Sequence, residues 1–481
     1  MFSVGFCQTL SGWCSRSSPS RSGSFWQAVH NWSVTQVPRK WRRQWISCTP
    51  SQRSQSQILL RTGSTKRRSS TGRRLTHSVL SELVPAEQWP LETPWALLRF
   101  AERRVLSAVP EARLSAEYLF IEALKRTWDE SRRTHLKALL KDLAIEGLGP
   151  QTQAWVDVLL LQQPVNRAQL WSAMCFSKTF ASQTLQTRRE PLTIETDISQ
   201  LLKDLRAEYR QLCGRRLSRE PLQYICGEWD FHGINLKLQA PVLIPRPETE
   251  ELVEYVLQSE WAQRARAGAT LRLLDIGCGT GAIGLALLSS LRRARIQAVA
   301  IDPNETAVRL TKENARRNQI SLWSAGWNEQ QQRTPVLKVL QQSIQSYARA
   351  FRTNDSSAEN DFETGSPFDL VVSNPPYVLP GELATLAPEI LCFEDMAALS
   401  GIDEDGMGII RMILEACDTE PSLLAPGGEL WMELDPSQPC RIAELLTRYS
   451  TASTVARLEL VEVKKDLAGS ERFVRIQRIV R

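Results

Sequence analysis

From residue 271 to the C-terminus the chain alternates short apolar runs with helical stretches, and that rhythm leaves few folds open. Residues 271–276, 298–301, 336–340, 368–373 and 429–434 read as buried strands. Helices fit between them, starting at Ala282, Glu305 and Gly408. Strand–helix–strand repeats of this kind build a parallel, doubly wound sheet with helices on both faces. Two last runs, 458–463 and 473–479, flank Gly469-Ser470 and read as an antiparallel hairpin that closes the sheet. The expected fold class is α/β.

The region before this rhythm has a different period. Residues 90–219 read as a small all-helical domain, with Trp95, Leu97, Leu98, Val105 and Leu106, then Tyr118, Leu119, Ile121 and Leu124, then Leu201, Leu202, Leu205, Tyr209 and Leu212 at helical spacing. A further apolar-periodic stretch at 136–170 is broken by Gly147-Leu148-Gly149-Pro150. Residues 220–245 read as a β-hairpin linker turning at His232-Gly233. Ile244-Pro245-Arg246-Pro247-Glu248-Thr249-Glu250 is then a proline-stiffened turn into a helix over 251–258. Arg246 and Glu250 read there as a turn salt bridge. The polar, acidic stretch 355–366 reads as a loop or insertion.

Charge is divided unevenly. The 481 residues carry a net charge of +6, but residues 1–81 hold thirteen Lys and Arg and no acid, so the remainder is net −7. The leader is rich in Arg and Ser and lacks a secretory apolar core, which is the composition of a mitochondrial transit peptide. A basic arm that binds nucleic acid has the same composition. No stretch approaches the roughly 18 consecutive apolar residues of a membrane helix. Ten cysteines without a C-x-x-C pair and four scattered histidines give no metal-ligand spacing and no disulfide framework. Neither a metal nor a membrane partner is expected.

Two loops carry chemistry. Leu273-Leu274-Asp275-Ile276-Gly277-Cys278-Gly279-Thr280-Gly281 is a strand running into a glycine-rich turn and a helix. Its glycines let the backbone come close to a ligand; a turn that only packs a helix on a sheet looks similar. Cys278 needs only to be small there and is not read as a nucleophile. Asp302 lies twenty-one residues beyond Gly281 at the end of the next strand, where an acid accepts from ribose hydroxyls. Asn374-Pro375-Pro376-Tyr377 is a stiff loop at the carboxyl end of another strand, since two prolines cannot continue it. The Asn374 side-chain oxygen and the Pro375 carbonyl can each accept one N–H of a flat amino group, and Tyr377 can stack on its face. That turns the nitrogen lone pair towards an electrophile.

These blocks resemble known families. Asp275-x-Gly277-x-Gly279-x-Gly281 is similar to motif I of class I methyltransferases, which bind S-adenosylmethionine, and Asn-Pro-Pro-Tyr resembles the acceptor motif of amino-methyltransferases. Pro221-x-Gln223-Tyr224-Ile225-x-Gly227, the Ile244–Glu250 turn, Pro388-Glu389-Ile390, Ala398-Leu399-Ser400-Gly401 and Asp466 to Phe473 extend the likeness to the HemK/PrmC family of release-factor glutamine N5-methyltransferases. Gly227-Glu228-Trp229-Asp230-Phe231 is similar to its mitochondrial animal branch. The resemblance covers about 92–125 loosely and about 176–481 well, leaving about 126–175 as an insertion: an extra helical hairpin or an error in the gene model.

The resemblance implies a seven-stranded class I methyltransferase domain over 246–481, preceded by a helical domain that grips the substrate. It implies an acceptor glutamine in the Gly-Gly-Gln loop of a mitochondrial class I peptide chain release factor, and so a role in translation termination in the matrix. Asp275, Gly277, Cys278, Gly279, Thr280, Gly281, Asp302 and Asn374 would hold S-adenosylmethionine. Asn374, Pro375, Pro376, Tyr377, Arg246 and Glu248 would meet the substrate, the first four being catalytic. A monomer is expected. One departure stands out: where the family has an acid or Trp near the adenine, this chain has Gln341, Gln342 and Ser343.

Two other readings use the same loops. An enzyme acting on the exocyclic amine of adenine or guanine in nucleic acid poses the same geometric problem, but it needs a basic face, and the body is acidic. A methyltransferase-like scaffold that only binds a partner would keep the fold without needing both loops.

Overall fold

The computed structural model describes residues 88–90, 94–127, 192–324, 334–353, 366–449 and 456–480. The leader, the 136–170 stretch with nearly all of the expected insertion, and residues 355–365 of the acidic loop lie outside them. α1 (Pro94–Phe100) passes through a π-helical turn at Ala101–Val105 and a 3₁₀ turn at Leu106–Ala108. α2 (Ala112–Thr127) and α3 (Leu192–Leu217) pack with it, and α4 (Leu222–Cys226) completes the group. Leu97, Leu98, Leu119, Phe120, Leu205 and Leu212 form their shared core. Tyr209 sits inside it, edge-on to Phe120 with centroids 5.4 Å apart, and its hydroxyl donates to the Ala116 carbonyl at 3.0 Å. That bond keeps a buried hydroxyl satisfied, which otherwise costs about 1–3 kcal/mol.

β1 (Glu228–Phe231) and β2 (Ile234–Lys237) form the antiparallel hairpin. Then come α5 (Pro247–Gln258), α6 (Glu260–Arg266), β3 (Thr270–Ile276), α7 (Ala282–Ser290), β4 (Arg295–Asp302) and α8 (Glu305–Arg317). They are followed by β5 (Ser321–Leu322), β6 (Val336–Gln341), α9 (Ile344–Thr353), β7 (Phe368–Ser373), α10 (Pro388–Phe393) and α11 (Gly408–Asp418). β8 (Leu424–Glu433), α12 (Pro439–Tyr449), β9 (Ala456–Lys465) and β10 (Glu471–Val480) end the chain. The large sheet has the order β5-β6-β4-β3-β7-β8-β10-β9. The first six strands are parallel, and β10 runs antiparallel to both β8 and β9. Seven long strands reproduce the expected class I arrangement, and the two-residue β5 is added at one edge.

Burial explains why these strands read as near-continuous apolar runs. Leu271, Leu273, Ala298, Leu370 and Val372 point into one core under α5, α6 and α7. Leu274, Ile276, Val299, Val371 and Met432 point into the other, with α9, α11 and α12. Among the described residues no helix is long and apolar enough to cross a membrane.

The hairpin is more than a linker. Asn314 on α8 and Asn318, the residue that caps its C-terminus, hold the open edge of β2 as a neighbouring strand would. Asn318 accepts from Asn235 N at 3.2 Å and donates to its carbonyl at 2.9 Å. Asn314 accepts from Lys237 N at 2.7 Å and donates to its carbonyl at 3.1 Å and to that of Thr280 at 2.9 Å. A bare edge strand is thereby covered. Trp229 packs against both the helical core and the sheet core. Asn314→Ala should cost about 2 kcal/mol, because it leaves buried backbone groups unpaired. Urea unfolding is the measurement; an unchanged midpoint would show that the clamp contributes nothing.

Candidate active site

Register puts the two loops side by side. β3 lies between β4 and β7, with Ile276 opposite Ile301 on one side and Ser373 on the other. Gly277, Asp302 and Asn374 therefore emerge together at the carboxyl edge of the sheet, from strands spaced about 4.8 Å apart. The strand order, not the strand direction, reverses between the parallel neighbours β3 and β7, which is where open α/β sheets form their crevice. Ser373 Oγ donates to the Ile276 carbonyl at 2.8 Å and locks the two strand ends together.

The glycine turn is held from below and open above. Gly277 N and Cys278 N both donate to the Ile301 carbonyl, at 2.9 and 3.1 Å. Gly281 has φ +83° and lies so close to Leu285 that a Cβ would come within 2.8 Å of its side chain. Asp275 is 2 % exposed, and one of its carboxylate oxygens accepts from Gly284 N at 3.0 Å beneath α7. Burial raises its pKa to about 7; the Gly284 amide opposes this and nearby Asp302 adds to it. Its place is underneath the turn. Thr280 is buried, with its carbonyl taken by Asn314. Cys278 is buried against Thr311, and burial pushes its thiol well above the usual range, surroundings that favour the neutral thiol.

Asp302 caps the other side. Its two oxygens accept from Gly279 N at 2.9 Å and Asn304 N at 2.8 Å. Burial raises its pKa, the two amides oppose this, and Asp395 adds to it. Asn304 caps α8 by accepting from Thr306 N at 2.8 Å and donates to Asp395 at 3.0 Å.

The acceptor loop is braced from several directions. Asn374 Nδ2 donates to Thr249 Oγ1 at 3.3 Å, and Thr249 donates to Glu433 Oε2 at 2.7 Å. The Tyr377 hydroxyl donates to Glu433 Oε1 at 3.4 Å. Burial raises Tyr377 far above its ordinary pKa. Pro375 is buried and Pro376 half-buried. Val378 and residues 399–401 exchange backbone hydrogen bonds at 2.9 and 3.1 Å. Gly406 lies so near that a Cβ there would be 2.6 Å from the Tyr377 carbonyl. The Ala398–Gly406 segment thus backs the loop. Thr249 and Glu433 were missed by sequence reasoning; the signal lay in Thr249, an uncharged residue between the two glutamates of the proline turn.

Arg246 does not pair with Glu250. Its guanidinium makes a bidentate pair with Glu394, at 3.0 and 2.7 Å, beside α10. A carboxylate 148 residues away is invisible to local reading. Glu389 on α10 in turn receives Arg216 at 2.9 Å and Arg219 at 2.7 and 2.6 Å, both from the C-terminal end of the helical region. These arginines hold its carboxyl below the usual range against the effect of burial. Glu248 stands half-buried in the first turn of α5, beside Thr249.

These residues fit S-adenosylmethionine. A Cβ at Gly277 would meet nothing within 4 Å and one at Gly279 only Val242 at 4.0 Å, so the turn faces open space. Gln342 Oε1, just past β6, is buried without a hydrogen-bond partner, an acceptor suited to an exocyclic amine where the family's acid is missing. The Gly277–Gly281 backbone, Asp302 and Gln342 would hold the cofactor along the carboxyl edge. When bound it supplies a methyl already activated on a sulfonium.

Comparison with known proteins bears on the family. The Methyltransferase small domain profile matches residues 261–338. MTRF1L release factor glutamine methyltransferase of Homo sapiens is 40% identical over 301 residues, covering 62% of this chain and 78% of that protein. The release factor glutamine methyltransferase of Deinococcus radiodurans is 34% identical over 55% of this chain and 77% of its own length. That of Clostridium botulinum is 27% identical over 71% of this chain and 99% of its own. An S-adenosylmethionine-dependent fold with this acceptor loop, matched over more than two thirds of such relatives, makes the chain a member of the release factor glutamine methyltransferase family.

Proposed function

We propose that this protein moves the methyl group of S-adenosylmethionine to the side-chain amide nitrogen of the Gly-Gly-Gln glutamine in a mitochondrial class I peptide chain release factor. The observation that carries this is the register placing Asn374 beside the glycine turn, in a chain whose relatives are named release factor glutamine methyltransferases. Asn374 Oδ1 and the Pro375 carbonyl accept the two N–H groups of the acceptor amide. That draws the nitrogen out of conjugation and aims its lone pair across the crevice. Positioning supplies most of the rate, as reactions of a pre-activated group allow. One N–H becomes N–CH3, and the proton released can pass to water. The acidic body argues against a nucleic-acid acceptor.

The test is mass spectrometry of a mitochondrial release factor after incubation with this protein and S-adenosylmethionine. A gain of one CH2 on the Gly-Gly-Gln glutamine is expected; modification elsewhere, or none, overturns the reading.

The helical region grips the release factor in this account, and the Glu389 clasp fixes it relative to the acceptor loop. The enzyme works as a monomer in the matrix, delivered by its basic leader. Removing residues 1–80 should leave methylation in vitro unchanged and abolish import. Truncated protein still recovered from mitochondria would refute the transit role.

A further inference from the structure

We propose that Thr249 and Glu433 are positioning residues that set which end of the Asn374 amide faces the acceptor. This rests on the reading just given. An asparagine amide has a donor end and an acceptor end of nearly equal size, and only the acceptor end suits an incoming N–H. A rigid loop fixes where the amide sits but not which way it is turned. Something outside the loop must choose.

The choice is made by a chain of hydrogen bonds with one direction. Glu433 is 1 % exposed at the end of β8 and receives two hydroxyls, Thr249 at 2.7 Å on Oε2 and Tyr377 at 3.4 Å on Oε1. One donor on each oxygen suits the ionised carboxylate, which can only accept, and it is in this form that the chain of bonds has one direction. Around it stand Glu248 and Thr249 from α5, Tyr377 from the acceptor loop and Arg472 from β10. Burial and Glu248 raise its pKa, to about 7, while Thr249, Arg472 and Tyr377 favour the ionised form. Thr249 is 3 % exposed and its single proton is committed to Glu433. Its oxygen is then left to accept, and Asn374 Nδ2 supplies that bond at 3.3 Å. Oδ1 of Asn374 accepts nothing from the described residues and is free for the substrate.

Thr249→Val keeps the side-chain shape and removes the hydroxyl. Its kcat for release-factor methylation should fall about tenfold or more, while KM for S-adenosylmethionine stays near wild type. Thr249→Ser keeps the hydroxyl and should restore kcat. The Asn374 side-chain NH2 signal in nitrogen-15 NMR, assigned by its loss in Asn374→Ala, should be protected from solvent exchange in wild type and Thr249→Ser and unprotected in Thr249→Val. Thr249→Ala carries the same expectations should the valine form not fold. Wild-type kcat in Thr249→Val, or equal protection in all forms, overturns the proposal. A wild-type protein that methylates no glutamine overturns the function instead, and the NMR comparison then decides the proposal by itself.

Discussion

Replacing Asn374 by alanine will lower kcat by about 100- to 1,000-fold, the range seen when one pre-aimed hydrogen-bonding group is lost from a reacting centre. Affinity for S-adenosylmethionine, measured by calorimetry, should stay close to wild type. The split follows from where the side chain is anchored. Its amide nitrogen is bound to Thr249, and the glycine turn is held by the Ile301 carbonyl and Asp302 without it. Removing the side chain leaves β7 intact, because Ser373 still bonds the Ile276 carbonyl. What disappears is one of the two acceptors that withdraw the amide nitrogen from conjugation. A variant with wild-type turnover would sink the role given to Asn374; one with equally weakened cofactor binding would move that role from acceptor to cofactor.

Much of this was legible in the sequence, and what was not has physical reasons. Strands buried on both faces announce themselves as apolar runs, so β3, β4, β6 and β7 fell within a few residues of their expected bounds. The helix expected from Glu251 begins at Pro247, because proline at the first helical position is already set at a helical φ. α9 went unread although Ser343, whose hydroxyl accepts from Ser346 N at 3.2 Å, marks its start. α12 likewise opens on Pro439. The site split along the same line. Its two loops are local motifs and could be read; the braces are not local. Arg246 meets Glu394 and Thr249 meets Glu433 only because the sheet brings distant segments together, and no periodicity encodes a partner more than a hundred residues away.

Asp302→Ala should act on the other half of the reaction. It should weaken S-adenosylmethionine by about 1.5–3 kcal/mol, a rise of about 10- to 150-fold in Kd, as expected when a hydrogen bond to a charged group is lost. The carboxylate does two things at once. Each oxygen takes a backbone amide, from Gly279 and from Asn304, so the side chain ties the glycine turn to the start of α8. Each oxygen also keeps a lone pair that the ribose hydroxyls can use. S-adenosylhomocysteine has the same ribose and no transferable methyl, so its Kd should rise by the same factor. With cofactor saturating, kcat should return near the wild-type value, the reverse of the Asn374→Ala pattern. If Asp302→Ala bound the cofactor as wild type does, the acid would be a brace for the turn alone, and the affinity would have to come from the glycine backbone and the Gln342 end of the crevice.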